Sequence, residues 1–123
     1  MPLTLDENSA AYQIRAYTPG QIRVNDEIYT ASIIVSPRKL IETWPPQKIS
    51  ELTREHLNII IELHPAILLI GTGSKLEFPP LEIYGDLINA GIGVEVMDTH
   101  AACRTYNALS AEERNVIAAL IIQ

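Results

Sequence analysis

The chain has 123 residues, the length of one ordinary domain, and 47% of them are hydrophobic against 20% charged, a balance that buries a core and excludes a disordered chain. Nine Lys and Arg against fifteen Asp and Glu leave a net charge of −6, which repels a phosphate backbone and argues against nucleic acid as a partner. Cys103 is the single cysteine, so a disulfide framework is excluded and a reducing, cytoplasmic location is expected.

The start, Met1 to Glu7, has no basic residue followed by an apolar run and carries acids that do not suit a presequence. Residues 1–10 are expected to be extended or poorly ordered. Tyr12, Ile14 and Ala16 then alternate with Gln13, Arg15 and Tyr17 at the period of a half-buried strand. Thr18-Pro19-Gly20 and Asn25-Asp26 read as turns, residues 28–35 as one longer β segment, and residues 39–44 as a further strand stopped by Pro45-Pro46. A β meander is the simplest reading of this half.

Beyond the prolines the pattern changes to helix and strand in alternation. Thr53 is placed to cap a helix running to Leu63, where His64-Pro65 ends it, with Leu52 and Leu57 set for a hydrophobic staple. Residues 66–70 are apolar without alternation, as in a central strand covered on both faces. Pro79-Pro80 opens the next helix, whose stripe is Leu81, Tyr84, Leu87 and Ile88 and whose terminator is Gly91. Residues 92–97 form a strand, Asp98 or Thr99 caps a helix through about Leu109, and Ser110-Ala111-Glu112-Glu113 reads as a capping box opening a last helix. The longest apolar run, Val116 to Ile122, is far short of the roughly 20 residues of a spanning helix, so a soluble protein that does not span a membrane is expected. The fold class is α/β: residues 1–123 as a single three-layer domain with a mixed central sheet, an N-terminal meander and a C-terminal αβαβα half.

The βαβ unit of residues 66–97 places two parallel strand ends on one edge of a sheet, where open α/β sheets bind ligands. Gly71, Thr72 and Gly73 should there face Asp98 and Thr99 across a crevice. Glycines, hydroxyls and Lys75 suit a phosphate, but position 76 is Leu instead of a third glycine and Pro79-Pro80 remove two N–H donors, so the glycines read first as a tight exit from the strand. Cys103 lies near the start of its helix beside Arg104, where a thiol is activated, yet with His100 it lacks a third orienting group and reads as a small buried filler. Asp98 and Arg104 are placed to pair across the crevice, while Thr99, Thr105 and Asn107 are suited to caps and loop carbonyls. His56, His64 and His100 do not have metal-ligand spacing, and no metal or cofactor is expected.

The string from Glu95 to Leu109, EVMDTHAACRTYNAL, together with Ile70-Gly71-Thr72-Gly73, Pro79-Pro80 and Glu112 to Val116, resembles a small α/β family of unassigned biochemical activity. Its mitochondrial branch is an assembly factor for respiratory complex I, and another animal branch is an adipogenesis-associated domain protein. The resemblance spans residues 10–122 and implies a three-layer domain with a mixed sheet; it carries no established catalytic residue. Without a visible presequence the chain looks like a bacterial-type, stand-alone member. The leading expectation is a non-catalytic interaction or assembly factor, for biogenesis of a membrane complex, with an unidentified protein partner. The alternative is a small-molecule or anion binder, or an enzyme, using the crevice between residues 71–75 and 98–107.

Overall fold

The structure, a computed structural model, describes residues 10–123. The expectation for residues 1–10 therefore lies, but for Ala10, outside the described residues. β1 (Ile14–Thr18), β2 (Gln21–Val24) and β3 (Glu27–Tyr29) form an antiparallel meander. Pro19 and Gly20 turn the first hairpin, Gly20 at φ +97°, and Asn25 at φ +53° opens the second. The expected alternation in β1 changes phase, because the pairing slips between Ile14 and Ala16. That bulge leaves Ala16 exposed and turns Tyr17 inward.

Residues 28–35 do not form one segment. Ile28 stays at the edge of the meander, 57% exposed, while β4 (Ile33–Val35) is fully buried in another layer. With β5 (Leu40–Ile41), β6 (Ile67–Thr72), β7 (Gly93–Met97) and β8 (Val116–Ile121) it builds a five-stranded sheet ordered β5-β4-β8-β6-β7. β8, β6 and β7 run parallel, and β4 and β5 are antiparallel additions.

The last segment corrects the sequence reading. The helix α3 (Thr99–Ala111) runs through Ser110, whose hydroxyl donates back to the Asn107 carbonyl at 3.2 Å instead of capping a new helix. Glu113, at φ +62°, then ends the turn, and residues 116–121 become a strand. The slot between β4 and β6 is covered on both faces, so it takes a run that is apolar at every position, and a helix there would have no polar face for water. The C-terminal half is thus αβαβαβ.

Each strand sends alternate residues to opposite layers. Leu69, Val116, Ala118 and Leu120 face the meander and α3, packing on Ile14, Ile22, Ala102 and Tyr106. Leu68, Ile70, Ile117 and Ile121 face the other way, onto Trp44, Leu57, Ile60 and Leu87. Three layers result, and each fully buried Leu or Ile contributes about 1.5–3 kcal/mol relative to exposure.

Two helices differ from their sequence reading. The one expected from Thr53 begins as a 3₁₀ turn, Glu55–Leu57, before the short α1 (Asn58–Leu63). Thr53 does not cap it with its hydroxyl; its backbone N–H donates to His56 Nδ1 at 3.1 Å, and Trp44 Nε1 donates to the His56 carbonyl at 3.0 Å. Helix α2 (Leu81–Asn89) buries Leu87, but Leu81 and Ile88 of its expected core stripe lie in solvent at 62% and 48% exposure. Gly91, at φ +87°, ends it as expected.

Candidate functional site

The parallel pair β6 and β7 brings Gly71 opposite Met97, so the loops leaving the two strands meet at the carboxyl edge of the sheet. They are joined by backbone chemistry. The Thr99 N–H donates to the Gly73 carbonyl at 2.9 Å, and the Gly73 N–H donates to Thr99 Oγ1 at 2.7 Å. That same hydroxyl donates to the Ile121 carbonyl at 2.5 Å, which ties three strand ends through one buried threonine. Thr72 Oγ1 donates to the Lys75 carbonyl and accepts the Glu77 N–H, closing the loop on itself. Asp98 caps α3 by accepting the Ala101 N–H at 2.8 Å.

The two glycines are present for space. A Cβ at Gly71 would come within 2.9 Å of both Leu120 Cδ2 and Thr99 Oγ1, and one at Gly73, which sits at φ +102°, within 2.5 Å of the Gln123 carbonyl oxygen. Gly71, Thr72, Gly73, Asp98 and Thr99 are thus brought together, but chiefly as a fastening of strand ends. Of the five, Gly73 and Asp98 line an open pocket, of about 310 Å³.

Arg104, Thr105 and Asn107 do not line that pocket. Among the described residues Arg104 makes no ion pair with Asp98, and its side chain is exposed. Asn107 grips β1 instead, accepting the Ile14 N–H at 3.1 Å and donating to the Ile14 carbonyl at 2.7 Å. Tyr106 adds a bond from its hydroxyl to the Tyr12 carbonyl at 2.7 Å. This helix face is where the meander is attached.

Sequence reasoning misses the other wall of the pocket, Tyr17, Thr18 and Pro19, which faces Ser74 and His100 of the expected crevice segments. The first hairpin leans over the sheet edge, and the Gly20 N–H donates to the Ile122 carbonyl at 3.0 Å. The Tyr17 and His100 rings stack with centroids 6.2 Å apart and planes at 23°. The available signal was the out-of-phase aromatic at position 17, which only the bulge turns inward. The Tyr17 hydroxyl is shielded from solvent and has no hydrogen-bond partner among the described residues. Burial raises its pKa, with Cys103 and Asp98 adding in the same direction.

Cys103 is 4% exposed beneath this site. Burial, with a smaller contribution from the Asp98 carboxylate, pushes its thiol up to about 12, so it is protonated at neutral pH and is not an activated nucleophile. The geometry here can hold a small hydrogen-bonding molecule against an aromatic pair.

Three comparisons place the chain among known proteins. It is 34% identical over 122 residues to the "13 kDa major membrane protein" of Francisella tularensis subsp. holarctica (strain LVS), covering 98% of this chain and 99% of that one. It is 36% identical over 117 residues to the NADH dehydrogenase [ubiquinone] 1 alpha subcomplex assembly factor 3 of Danio rerio, covering 94% of this chain and 67% of the relative. The crystal structure of a Bordetella parapertussis protein superposes with a TM-score of 0.86 at 37% identity, covering 93% of this chain and 98% of the other. Residues 14–121 match the family described as protein of unknown function (DUF498/DUF598), and with these relatives and this fold the chain belongs to that family.

Proposed function

We propose that the protein is a non-catalytic interaction factor that docks onto another protein through an apolar promontory spanning residues 76–88. The observation that carries this is exposure. Leu76, Phe78, Leu81 and Ile88 are 52%, 69%, 62% and 48% exposed on one loop and the helix that follows it. Leu81 and Ile88 are two helical turns apart and share one face, while Leu87 fills the core, so α2 is apolar on two sides and only one is covered. Pro79 and Pro80 stiffen the approach, which lowers the ordering cost of docking.

The promontory is flanked by exposed Glu77 and Glu82, while the Asp86 carboxylate is paired with Arg54. The partner surface that fits is an apolar groove with a basic rim. No helix among the described residues is long and apolar enough to cross a membrane, and relatives named as assembly factors support a protein partner. An assembly role in the biogenesis of a membrane complex is the specific form of this reading. The engaged hydroxyls of Thr72 and Thr99 and the protonated, buried Cys103 support a non-catalytic role.

A photo-crosslinking residue at position 78, with position 55 as control, tests the reading in the native cell. A protein adduct from position 78, lost in a Leu81→Ser/Ile88→Ser variant whose unfolding midpoint is unchanged, is the expected result. Adducts with lipid alone, or equal adducts from both positions, would overturn it.

A second reading rests on the Tyr17 hydroxyl, which is out of solvent beside the 310 Å³ pocket and has no partner among the described residues. It supports a small molecule that accepts a hydrogen bond there. A metabolite mixture that stabilises the native chain but not Tyr17→Phe would favour this reading over the first.

A further inference from the structure

At the opposite edge of the five-stranded sheet, where β6 and β8 begin and β4 ends, lies a larger cavity of about 660 Å³. Leu63, Pro37 and Ile117 give it apolar walls, and Arg38, Lys39 and Arg114 line it with charge. We propose that this cavity binds a small organic oxyanion, a molecule with two or more closely spaced negative charges such as a phosphate monoester or a polycarboxylate.

The first argument is charge. Three of the nine cationic side chains of a chain with net charge −6 converge on one concavity. Like charges gathered in this way repel unless an anion joins them. The ion pairs among the described residues, Arg23–Asp26 and Arg54–Asp86, lie elsewhere. Glu113 also lines the cavity, but it lies beyond ion-pair distance of these cations. Two guanidinium forks and an ammonium supply the donors that oxyanions take, and a guanidinium can engage two oxygens at once.

The second argument is that, among the described residues, no ion pair or helix cap uses these cations. Helices α1 and α3 end at this edge, where their dipoles favour positive charge. Carbonyls near these ends are engaged by backbone donors: His64 N–H to the Ile60 carbonyl, Glu113 N–H to Ser110, and Arg114 N–H to Leu109. Among the described residues the three cationic side chains cap none of them.

The third argument is preorganisation. The turn carrying Arg38 and Lys39 is locked by the Lys39 N–H on Ser36 Oγ at 3.0 Å and the Ser36 N–H on the Lys39 carbonyl at 2.8 Å. The Ala11 N–H braces it from outside, donating to the Pro37 carbonyl at 2.8 Å. Next to Arg114, the Asn115 carbonyl accepts from both Ala66 and Ile67. The cations are thus carried on fixed backbone around a cavity within the usual size of small-molecule sites. This site is independent of the apolar promontory.

The test is titration of the isotopically labelled full chain with sodium pyrophosphate, glycerol phosphate and citrate, followed by amide shifts, with sodium chloride matching ionic strength. Saturable shifts at residues 38, 39, 114 and 115 are expected, weakened about tenfold or more in Arg38→Gln and in Arg114→Gln. Both substitutions are at exposed positions, and each variant's unfolding midpoint checks that it folds. Preference between glycerol phosphate and citrate separates the two oxyanion types. Absence of a saturable shift at millimolar probe, shifts unchanged by either substitution, or shifts spread equally to Arg15 and Lys48 would each overturn the proposal.

Discussion

The two edges of the five-stranded sheet use polar residues in opposite ways. At the carboxyl edge, Thr72, Asp98 and Thr99 are committed to backbone partners that hold strand ends together. At the amino edge, Arg38, Lys39 and Arg114 converge with no such commitment among the described residues. The difference teaches that density of polar residues along a sequence marks structural fastening as readily as a site. A binding surface is better recognised by charges that come together in space and are left without internal work.

Reactivity of Cys103 gives the sharpest contrast with an active-site thiol. A rise from 9.0 to about 12 lowers its thiolate population about a thousandfold at neutral pH, and alkylation should be slowed at least that much against a free thiol. The sign for stability follows from linkage. Below pH 9 the thiol is protonated in both states and the stability is intact; as pH rises toward 12 the unfolded chain loses its proton first, and stability falls. Tyr106, whose pKa burial raises, acts in the same direction at higher pH. Cys103→Ala should flatten the alkaline loss in denaturant midpoints, and an unchanged pH profile would break the assignment.

The fastening itself comes next in size. Gly73→Ala places a Cβ against the Gln123 carbonyl at a positive φ and should cost on the order of 2–4 kcal/mol by chemical denaturation. Thr99→Val leaves the Gly73 N–H and the Ile121 carbonyl without their partner and should cost about 2–3 kcal/mol, whereas Thr99→Ser, which keeps the oxygen, should cost less. A loss for Val no larger than that for Ser would show that the hydroxyl contributes no more than the methyl group.

Smaller effects separate cap from ion pair. Asp98→Ala should cost about 0.5–2 kcal/mol through the lost Ala101 bond. Arg104→Ala should stay within about 0.5 kcal/mol, and the double mutant should be additive, since the two side chains do not pair. A coupling energy well above that range would restore the cross-crevice pair that the sequence suggests.

Much of the carboxyl edge is legible in the sequence, because a βαβ unit imposes it. Gly71, Gly73 and Asp98 meet as expected, and Asp98 caps as expected. Proximity in sequence puts Arg104, Thr105 and Asn107 at the crevice, but a helix turns successive residues to different sides. Asn107 therefore faces β1, where its amide pairs with the Ile14 backbone. A strict period of two points Tyr17 outward, which a single bulge reverses.

The amino-acid sequence by itself determined the local elements of residues 66–109, a covered strand at 66–70 that the structure carries on to Thr72, the stop at Gly91 and the α/β class, since these depend on nearest-neighbour periodicity, capping and burial. Only the tertiary structure decided that residues 116–121 are a strand. An unbroken apolar run states that both faces are covered but not by what, and the cover here is supplied by β4 and β6, drawn from distant parts of the chain. The same separation explains the amino-edge cavity. Arg38, Lys39 and Arg114 acquire a joint meaning when β4 pairs antiparallel with β8, a register that places Val35 opposite Ala118 and carries the three charges to one edge.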